Sequence, residues 1–411
     1  MSKLAIKGGS AEASELTSKI PKWPMFDEED KQALIRVLES RHWCRLFEDS
    51  QADLFEKAFA EYQDANYGVA VSNGTVSLEL CLRTLGIRPG DEVVIPAATF
   101  IATASAVTEV GGIPIMVDID PDTATMSPQA FEQVITEKTR GAIVVHYGGY
   151  PANFDDILPI VRKNGLFLVE DAAHAHGTEW KGRKVGAIGD MGSFSFQESK
   201  SHTAGEGGIV LTDNSNLFEK ARLIHNIGRV LGRAGYEHYI LSSNYRICEL
   251  QAALLLSSLK RLPKLIDIKH ENGSYLASRL RKVGGVEPLK EDPRVTKRGY
   301  YLFVIRYHAE EFEGLPRDRF IEALEAEGVP ASKMYAMPLY RQPAFKKERL
   351  EGVISTQNLT QDYEHLYLPA CEKHFEQEVI LEHQVLLTEK KSLDLIVASI
   401  EKIKENVDDL L

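Results

Sequence analysis

The chain has 411 residues, of which 44% are hydrophobic and 26% are charged, and its formal net charge is −12. This composition is ordinary for a soluble globular protein, and the length predicts two or three domains with a sizeable core. The acidic balance argues against general nucleic-acid binding, which needs a basic surface, but it does not exclude an anion in a local site.

The cysteines and the apolar segments indicate a cellular location. The four cysteines lie far apart and form no CxxC pair, which fits reduced thiols in a cytosol better than a disulfide framework or a zinc site. The first residues lack the apolar core of a signal peptide, and no segment approaches the roughly 18 apolar residues of a membrane-spanning helix. We expect a cytoplasmic protein with no membrane partner.

The N-terminal part of the chain predicts an arm followed by two helices. Residues 1–26 have no domain-like pattern, and Trp23 and Phe26 are available as anchors. Residues 28–40 and 50–62 have the apolar spacing of amphipathic helices.

From residue 67 onwards, short apolar segments alternate with helical stretches. Continuous apolar strands in this arrangement predict an α/β domain with a mainly parallel sheet that is covered on both faces. The predicted strands are 69–72, 92–97, 113–118, 141–146, 166–170, 192–196 and 207–212.

The C-terminal part predicts a smaller α+β domain after a long helical connector that reaches about residue 284. A helix at 246–260, which Pro263 ends, precedes this connector, and the predicted elements of the small domain are a strand at 300–306 and helices at 317–328 and 391–408. We therefore divide the chain into an N-terminal arm (1–26), a large domain (27–262) and a small domain (263–411).

The stretch from Gly192 to Gly208, GSFSFQESKSHTAGEGG, carries the first candidate catalytic residue, Lys200. It predicts two strands joined by a glycine-rich loop, and such glycines allow close backbone approach. A lysine at the tip of a strand pair suits an amine that must lose its proton before it attacks a carbonyl. The same residues also fit a surface lysine on a hairpin.

Two further groups follow predicted strands. Ser72–Thr75 stand between a strand and a helix, where free N–H groups and the helix dipole favour an anion, although a plain helix cap uses the same residues. Asp171 ends a strongly apolar strand, and an acid there can pair with a cationic ring nitrogen or simply cap the next turn. His174 is near enough in sequence to join the same site.

Two patterns that resemble metal sites are set aside. Asp118, Asp120 and Asp122 have the spacing of a calcium loop, but Thr123 stands where that loop needs glycine. His174 and His176 are a poor chelating pair without a third ligand. We predict no metal.

An anion-binding turn, an acid at a strand end and a lysine on a glycine-rich loop match the phosphate, ring nitrogen and aldehyde of pyridoxal 5′-phosphate. With its FSF…K…GEGG and EDAAHAHG motifs, nearly the whole chain resembles the DegT/StrS family of sugar aminotransferases. The resemblance implies the aspartate-aminotransferase fold (fold type I), with a seven-stranded sheet in the large domain.

The resemblance also implies a role for each matching residue. Lys200 would hold the cofactor covalently, Asp171 would bind the pyridine nitrogen, and His174 would approach the ring hydroxyl. The phosphate ligands would be Gly74, Thr75 and Ser195, with Asn244 of the partner subunit, and Phe100 would stack on the ring. An obligate homodimer with shared active sites follows from the role of Asn244.

The implied reaction moves an amino group from L-glutamate or L-glutamine to a ketone on a sugar or cyclitol, in amino-sugar or antibiotic biosynthesis. Three alternatives stay open: an aminotransferase for nucleotide-linked ketosugars, a dehydratase resembling 3-amino-5-hydroxybenzoate synthase, and a non-catalytic regulator. Related deoxygenating dehydratases carry histidine in place of the lysine, so Lys200 disfavours them.

The acceptor side is predicted from three residues. Where many nucleotide-sugar members have His-Tyr-x-Pro-x-His, this chain has tyrosines, Tyr335 and Tyr340, around Pro338. Near His383, the sequence resembles inosose aminotransferases and aminohydroxybenzoate synthases. Tyrosines supply a flat apolar face and a hydroxyl, which suits a compact polyol ring, although both could instead pack a domain interface.

Overall fold

The computed structural model describes residues 3–46, 50–231, 236–353 and 359–411, and it has an α/β architecture. The strands are β1 Tyr67–Val71, β2 Glu92–Pro96, β3 Ile113–Val117, β4 Thr139–Val145, β5 Phe167–Asp171, β6 Glu179–Trp180, β7 Arg183–Lys184, β8 Met191–Ser195, β9 Gly208–Thr212, β10 Val286–Pro288, β11 Val295–Lys297, β12 Leu302–Tyr307, β13 Ala331–Ser332 and β14 Glu378–Glu382. The α-helices are α1 Leu16–Lys19, α2 Glu28–Ser40, α3 Gln51–Tyr62, α4 Gly74–Leu85, α5 Ala102–Glu109, α6 Pro128–Gln133, α7 Phe154–Lys163, α8 Ser215–His225, α9 Glu249–Leu259, α10 Leu262–Leu280, α11 Arg317–Ala326, α12 Lys347–Leu350, α13 Pro369–Gln377 and α14 Lys390–Glu405.

The central sheet has seven strands in the order β1-β9-β8-β5-β4-β2-β3. Strands β8, β5, β4, β2 and β3 pair in parallel, whereas β9 runs antiparallel to both of its neighbours, β8 and β1. The prediction of a mainly parallel, seven-stranded sheet is therefore confirmed. The exception is β9, because the loop that carries Lys200 leads directly from β8 to the neighbouring strand without a crossover, and such a connection gives antiparallel pairing.

Helices cover both faces of this sheet, as its uniformly apolar strands require. In β2, Val93 and Ile95 pack on the side of α4 and α5, while Val94 packs on the side of α3 and α9. On that second side, Phe55 and Phe59 of α3 contact the two phenylalanines that precede Lys200, Phe194 and Phe196. The strand that leads to Lys200 is thus anchored in the core.

The C-terminal part forms a second, antiparallel sheet in the order β10-β12-β14-β13. Helices α10, α11 and α14 pack against it around Phe303, Phe320 and Ile396. This α+β arrangement agrees with the predicted class, whereas the domain boundaries themselves stay a prediction. The helical connector begins at Leu262, with Pro263 in its first turn, where proline costs no hydrogen bond.

The N-terminal residues lie against the C-terminal part of the chain. Leu4, Ala13 and Leu16 are fully buried in its core. Glu327, at the end of α11, accepts hydrogen bonds from the backbone N–H groups of Ala5 and Glu12, each at 2.8 Å. Of the two predicted anchors, Trp23 donates to the carbonyl of Glu198 at 3.1 Å, whereas Phe26 is 70% exposed.

Two negative findings concern the described residues. Within them, none of the helices combines the length and the apolar character that a membrane-spanning segment needs. The same residues contain no group of three or more histidine, cysteine or acidic side chains that could hold a metal ion.

We predict that Glu327→Ala loosens the N-terminal residues. Glu327 also pairs with the buried Lys402 at 2.8 Å, so the substitution removes the acceptor of two amides and the counter-ion of a buried ammonium, which keeps its hydrogen bond to the Ser10 carbonyl. The cost should be about 3 kcal/mol. Calorimetry should show a lower midpoint of thermal unfolding, and limited proteolysis should show faster cleavage before residue 20. The exposed Glu325→Gln is the matched control, and equal behaviour of the two variants would contradict the prediction.

Candidate active site

A cavity of about 650 Å³ opens at the carboxyl ends of the parallel strands, where open α/β sheets bind their ligands. It lies between the central sheet and the segments that lead into and out of the second sheet. Its polar and aromatic lining comprises Asn73, Gly74, Thr75, Thr99, Phe100, Asp171, His174, Ser195, Gln197, Ser199, Lys200, Glu206, Tyr301 and Tyr335.

Lys200 lies in the loop between β8 and β9. The hydrogen bond from Phe196 N–H to the carbonyl of Gly207, at 2.8 Å, closes the base of this loop. The Lys200 Nζ lies 4.1 Å from the ring centroid of Tyr301. Burial of the amine lowers its pKa from 10.5 to about 8, and the carboxylate of Asp171 opposes that shift. The amine is therefore held near the point at which it can lose its proton at neutral pH.

Asp171 is the last residue of β5, and its carboxyl group is buried. Thr103 Oγ1 donates to Oδ2 at 2.9 Å, and the Ala173 N–H donates to Oδ1 at 3.3 Å. Burial raises the pKa of Asp171, and these two donors counteract it in part. A carboxylate with so few donors is well placed to accept another hydrogen bond, from a cationic group inside the cavity.

His174 stacks on Tyr301, with ring centroids 4.2 Å apart and an interplanar angle of 28°. Burial, followed by the nearby Lys200 amine, lowers the pKa of His174 well below 6.5, so the ring is neutral. Its Nδ1 accepts from the Gly148 N–H at 3.4 Å, and this contact assigns the ring hydrogen to Nε2. His174 can therefore donate one hydrogen bond from Nε2.

The first turn of α4, which the sequence predicts as an anion-binding turn, lies beside Ser195. Asn73 accepts the N–H of Val76 at 3.0 Å through its side chain, and that of Ser77 at 3.2 Å through its carbonyl. The N–H groups of Gly74 and Thr75 precede these and have no partner within the helix. A Cβ on Gly74 would lie 2.5 Å from the Cβ of Ser195, so only glycine permits this close approach.

Eight of the predicted site residues line this one cavity, namely Gly74, Thr75, Phe100, Asp171, His174, Ser195, Lys200 and Tyr335. The ring of Phe100 is 55% exposed and lies roughly parallel to that of Tyr335, with centroids 6.2 Å apart. The two rings form a wall of the cavity above the sheet.

The structure does not bring the other three predicted residues into the cavity of this chain. Asn244 is exposed, and its side chain accepts from the Arg246 N–H at 3.2 Å. Tyr340 is buried and donates to Glu372 at 2.6 Å, which is the packing role that the sequence left open. His383 is buried behind the Lys200 loop, where its Nε2 lies 3.1 Å from the carbonyl oxygen of Ser199.

Sequence reasoning missed Thr103 and Tyr301, both of which contact the central residues of the site. Thr103 is the second residue of α5, and Tyr301 belongs to an apolar run that predicts a strand. Their residue types carry no signal of their own, because a threonine in a helix and a tyrosine at a strand end are ordinary core residues. Their roles arise from the tertiary contacts alone.

The fold and the site define a transaminase of fold type I, and the comparisons with known proteins agree. Residues 24–387 match the model of the DegT/DnrJ/EryC1/StrS aminotransferase family, and the chain belongs to this family. It is 34% identical to the L-glutamine:scyllo-inosose aminotransferase of Streptomyces griseus, covering 100% of this chain and 99% of that protein. The 3-amino-5-hydroxybenzoate synthase of Amycolatopsis mediterranei is 36% identical over 80% of this chain and 84% of that protein.

Solved structures give the same result. A crystal structure of 3-amino-5-hydroxybenzoic acid synthase superposes with a TM-score of 0.84 at 32% identity, over 94% of this chain and 99% of that one. An aminotransferase from Psychrobacter cryohalolentis gives a TM-score of 0.85 at 29% identity, over 95% of this chain and 100% of that one. The recognition of the family from its motifs is thereby confirmed.

We predict that the Lys200 amine titrates near pH 8 in cofactor-free protein. Below that pH the ammonium form does not react with acylating reagents, and above it the free amine does. Competitive acetylation across a pH series, read by peptide mass spectrometry with exposed Lys57 as the internal reference, measures this midpoint. A midpoint above about pH 10, the ordinary range for lysine, would show that water solvates the amine and would contradict the burial argument.

Proposed function

We propose that this aminotransferase uses pyridoxal 5′-phosphate to move the amino group of L-glutamine to the ketone of a cyclitol, of the inosose type. The observation that carries the proposal is the convergence of an anion-binding turn, a buried carboxylate and a lysine of lowered pKa in one cavity. The names of the inosose aminotransferases to which the chain is similar support the choice of donor and acceptor.

The donor set of the cavity fits the cofactor at three points. The free N–H groups of Gly74 and Thr75, with the hydroxyl of Ser195, suit a phosphate dianion at a helix N-terminus. Asp171 suits a protonated ring nitrogen. Burial disfavours the ionised form of its carboxyl group, and a cation beside the group would stabilise that form. Phe100 provides an aromatic face for the ring, and the Nε2 hydrogen of His174 suits the ring oxygen.

Bound in this way, the cofactor would supply an electron sink for the carbanion that forms at the donor's α-carbon. Asp171 would keep the ring nitrogen protonated. Lys200 would carry the cofactor through its Nζ, and the amine, once released by the incoming amino acid, would move a proton from the donor's α-carbon to the cofactor carbon that carried the aldehyde. The same amine would return a proton to the acceptor carbon in the second half of the reaction.

The chemistry of the cavity favours a compact neutral acceptor. Lys200 is the one lysine or arginine among the described residues that line it, so this chain offers no further cation there for a diphosphate. Phe100 and Tyr335 offer flat apolar faces, and the Tyr335 hydroxyl is buried without a hydrogen-bond partner among the described residues. A polyol ring with hydroxyl groups at its edge would satisfy that hydroxyl.

The function is tested by a single assay with two amino donors, L-glutamine and L-glutamate. The three acceptor classes are inososes, free ketosugars and nucleotide-linked ketosugars. With L-glutamine and scyllo-inosose, the purified protein should form an amino cyclitol, and borohydride should attach the cofactor to Lys200. The kcat/KM for the inosose should exceed that for a nucleotide-linked ketosugar by about tenfold or more, which corresponds to about 1.4 kcal/mol. Lys200→Ala should form no product and serves as the control.

Other results would correct particular parts of this proposal. Preference for L-glutamate, or for the nucleotide-linked sugar, would overturn the substrates while leaving the transaminase intact. An aromatic product from an aminated cyclic ketone would instead favour a dehydratase like the 3-amino-5-hydroxybenzoate synthase to which the chain is similar. Absence of cofactor absorbance and of any labelled lysine would contradict the use of pyridoxal phosphate.

We also propose a homodimer in which Asn244 reaches the phosphate of the neighbouring subunit. Support comes from its exposure on the surface of its own chain, away from the cavity. In addition, apolar side chains near it are exposed: Tyr239 is 48% and Ile240 is 37% exposed. Such an apolar group on a surface is typical of a protein interface.

Subunit mixing tests the shared site. Lys200→Ala and Asn244→Ala should each be inactive, and a mixture after subunit exchange should regain about a quarter of the wild-type sites in a two-fold symmetric dimer. Mixing Lys200→Ala with the double variant should regain none, because no chain then supplies the lysine. If exchange is confirmed and no activity returns, Asn244 does not act across the interface.

A further inference from the structure

A second lysine, Lys269, lies fully inside the protein behind the Lys200 loop. It belongs to α10 and is 1% exposed. Its Nζ donates to Ser201 Oγ at 2.8 Å and to the carbonyl oxygen of Tyr300 at 3.1 Å. Among the described residues, no carboxylate forms an ion pair with it. Burial lowers its pKa to about 7.

A buried amine without a carboxylate is costly, and an apolar side chain of similar length would stabilise the fold more. Its two acceptors suggest what the amine contributes. Ser201 follows Lys200 in the chain, and Tyr300 precedes Tyr301, whose ring lies under the Lys200 Nζ. The Lys269 side chain thus connects the segment that contains Lys200 to the segment that contains Tyr301.

The loop is held on the other side of Lys200 as well. His383 Nε2 contacts the carbonyl oxygen of Ser199 at 3.1 Å, and the Ser199 hydroxyl lies 2.8 Å from that of Tyr301. Ser199 and Ser201, the two neighbours of Lys200 in the chain, therefore each form a hydrogen bond with a buried side chain, His383 and Lys269 respectively. The segment is thus fixed on both sides of Lys200, whose side chain lines the cavity.

We propose that Lys269 is a positioning residue for Lys200. Through Ser201 and the Tyr300 carbonyl, it fixes the Lys200 amine and the Tyr301 ring relative to each other, so that the amine meets both carbons between which it moves a proton. This role rests on the proposed function. Lys269 is not among the residues that line the cavity, so it would act through Lys200. A misplacement of about 1 Å in a reacting group costs about a hundredfold in rate.

The competing explanation is that Lys269 merely joins α10 to the start of β12. Loss of a purely structural contact lowers stability and the number of competent sites, but leaves each remaining site unchanged. Loss of a positioning contact changes each site. The two explanations therefore differ in the activity per competent site and in the environment of the Lys200 amine.

The test compares Lys269→Met, which keeps the apolar stem, with Ser201→Ala, which removes the acceptor but keeps the Lys269 charge. The matched control is Lys402→Met, because Lys402 is also buried but bonds Ser10 and Glu327 instead. Competitive acetylation of cofactor-free protein reports the pKa of Lys200. The groups that face its amine are Asp171, His174 and Tyr301, with His176 and His383 further behind.

When the loop is released, water reaches the Lys200 amine, so its pKa should rise by about one unit towards 10.5 in both test variants. Ser201→Ala separates this effect from the lost charge of Lys269. In the loaded enzyme, kcat per borohydride-labelled site should fall about tenfold or more in Lys269→Met, while the KM for the amino donor changes less than about twofold. Lys402→Met should change neither quantity.

Unchanged Lys200 titration and unchanged kcat per labelled site in a folded Lys269→Met would overturn the proposal. If Lys269→Met does not fold, the same two measurements on Ser201→Ala decide the matter. If the wild-type protein binds no cofactor, the proposed function fails, whereas the acetylation experiment still tests the placement of Lys200.

Discussion

The site depends on the close approach of β9 to the turn at the start of α4. A Cβ on Gly208 would overlap the carbonyl oxygen of Asn73, so glycine alone permits the two segments to touch. Because β9 runs antiparallel between β1 and β8, this contact brings together the anion-binding turn and the two ends of the Lys200 loop. A bulkier residue would separate the turn that suits a phosphate from the amine that suits an aldehyde.

Burial acts on the two central ionisable groups in opposite directions. It lowers the pKa of Lys200 and raises that of Asp171, so in both cases it disfavours the charged form. In the proposed function each group has a specific partner. The Lys200 amine would attack a carbonyl carbon, and the Asp171 carboxylate would pair with a cationic ring nitrogen. Shifted groups that face each other in one cavity are typical of catalytic sites, and a purely structural ion pair would not need the open space between them.

The sequence predicted the parallel sheet and the central residues well, because both have strong local signals. Uniform apolar runs mark buried strands, and the motif around Lys200 is specific to one family. The second sheet was harder: β14 was not predicted, since its apolar run, residues 379–381, has only three residues and is flanked by Glu378 and Glu382. Tyr335 and Tyr340 looked equivalent, but the chain bends between them at Ala336 and Met337, so that Tyr335 lines the cavity and Tyr340 donates to Glu372.

A buried carboxylate links the wall of the cavity that carries Tyr335 to the central sheet. Glu378 of β14 accepts from the Tyr147 hydroxyl at 2.6 Å and from the Met334 N–H at 3.2 Å. Tyr147 follows β4 of the central sheet, whereas Met334 adjoins Tyr335 in the cavity wall. Glu378 thus joins the segment that carries Tyr335 to the residues that follow β4 of the central sheet. Changes in the segment around Tyr335 can therefore alter the acceptor while the anion-binding turn, Asp171 and Lys200 keep their positions.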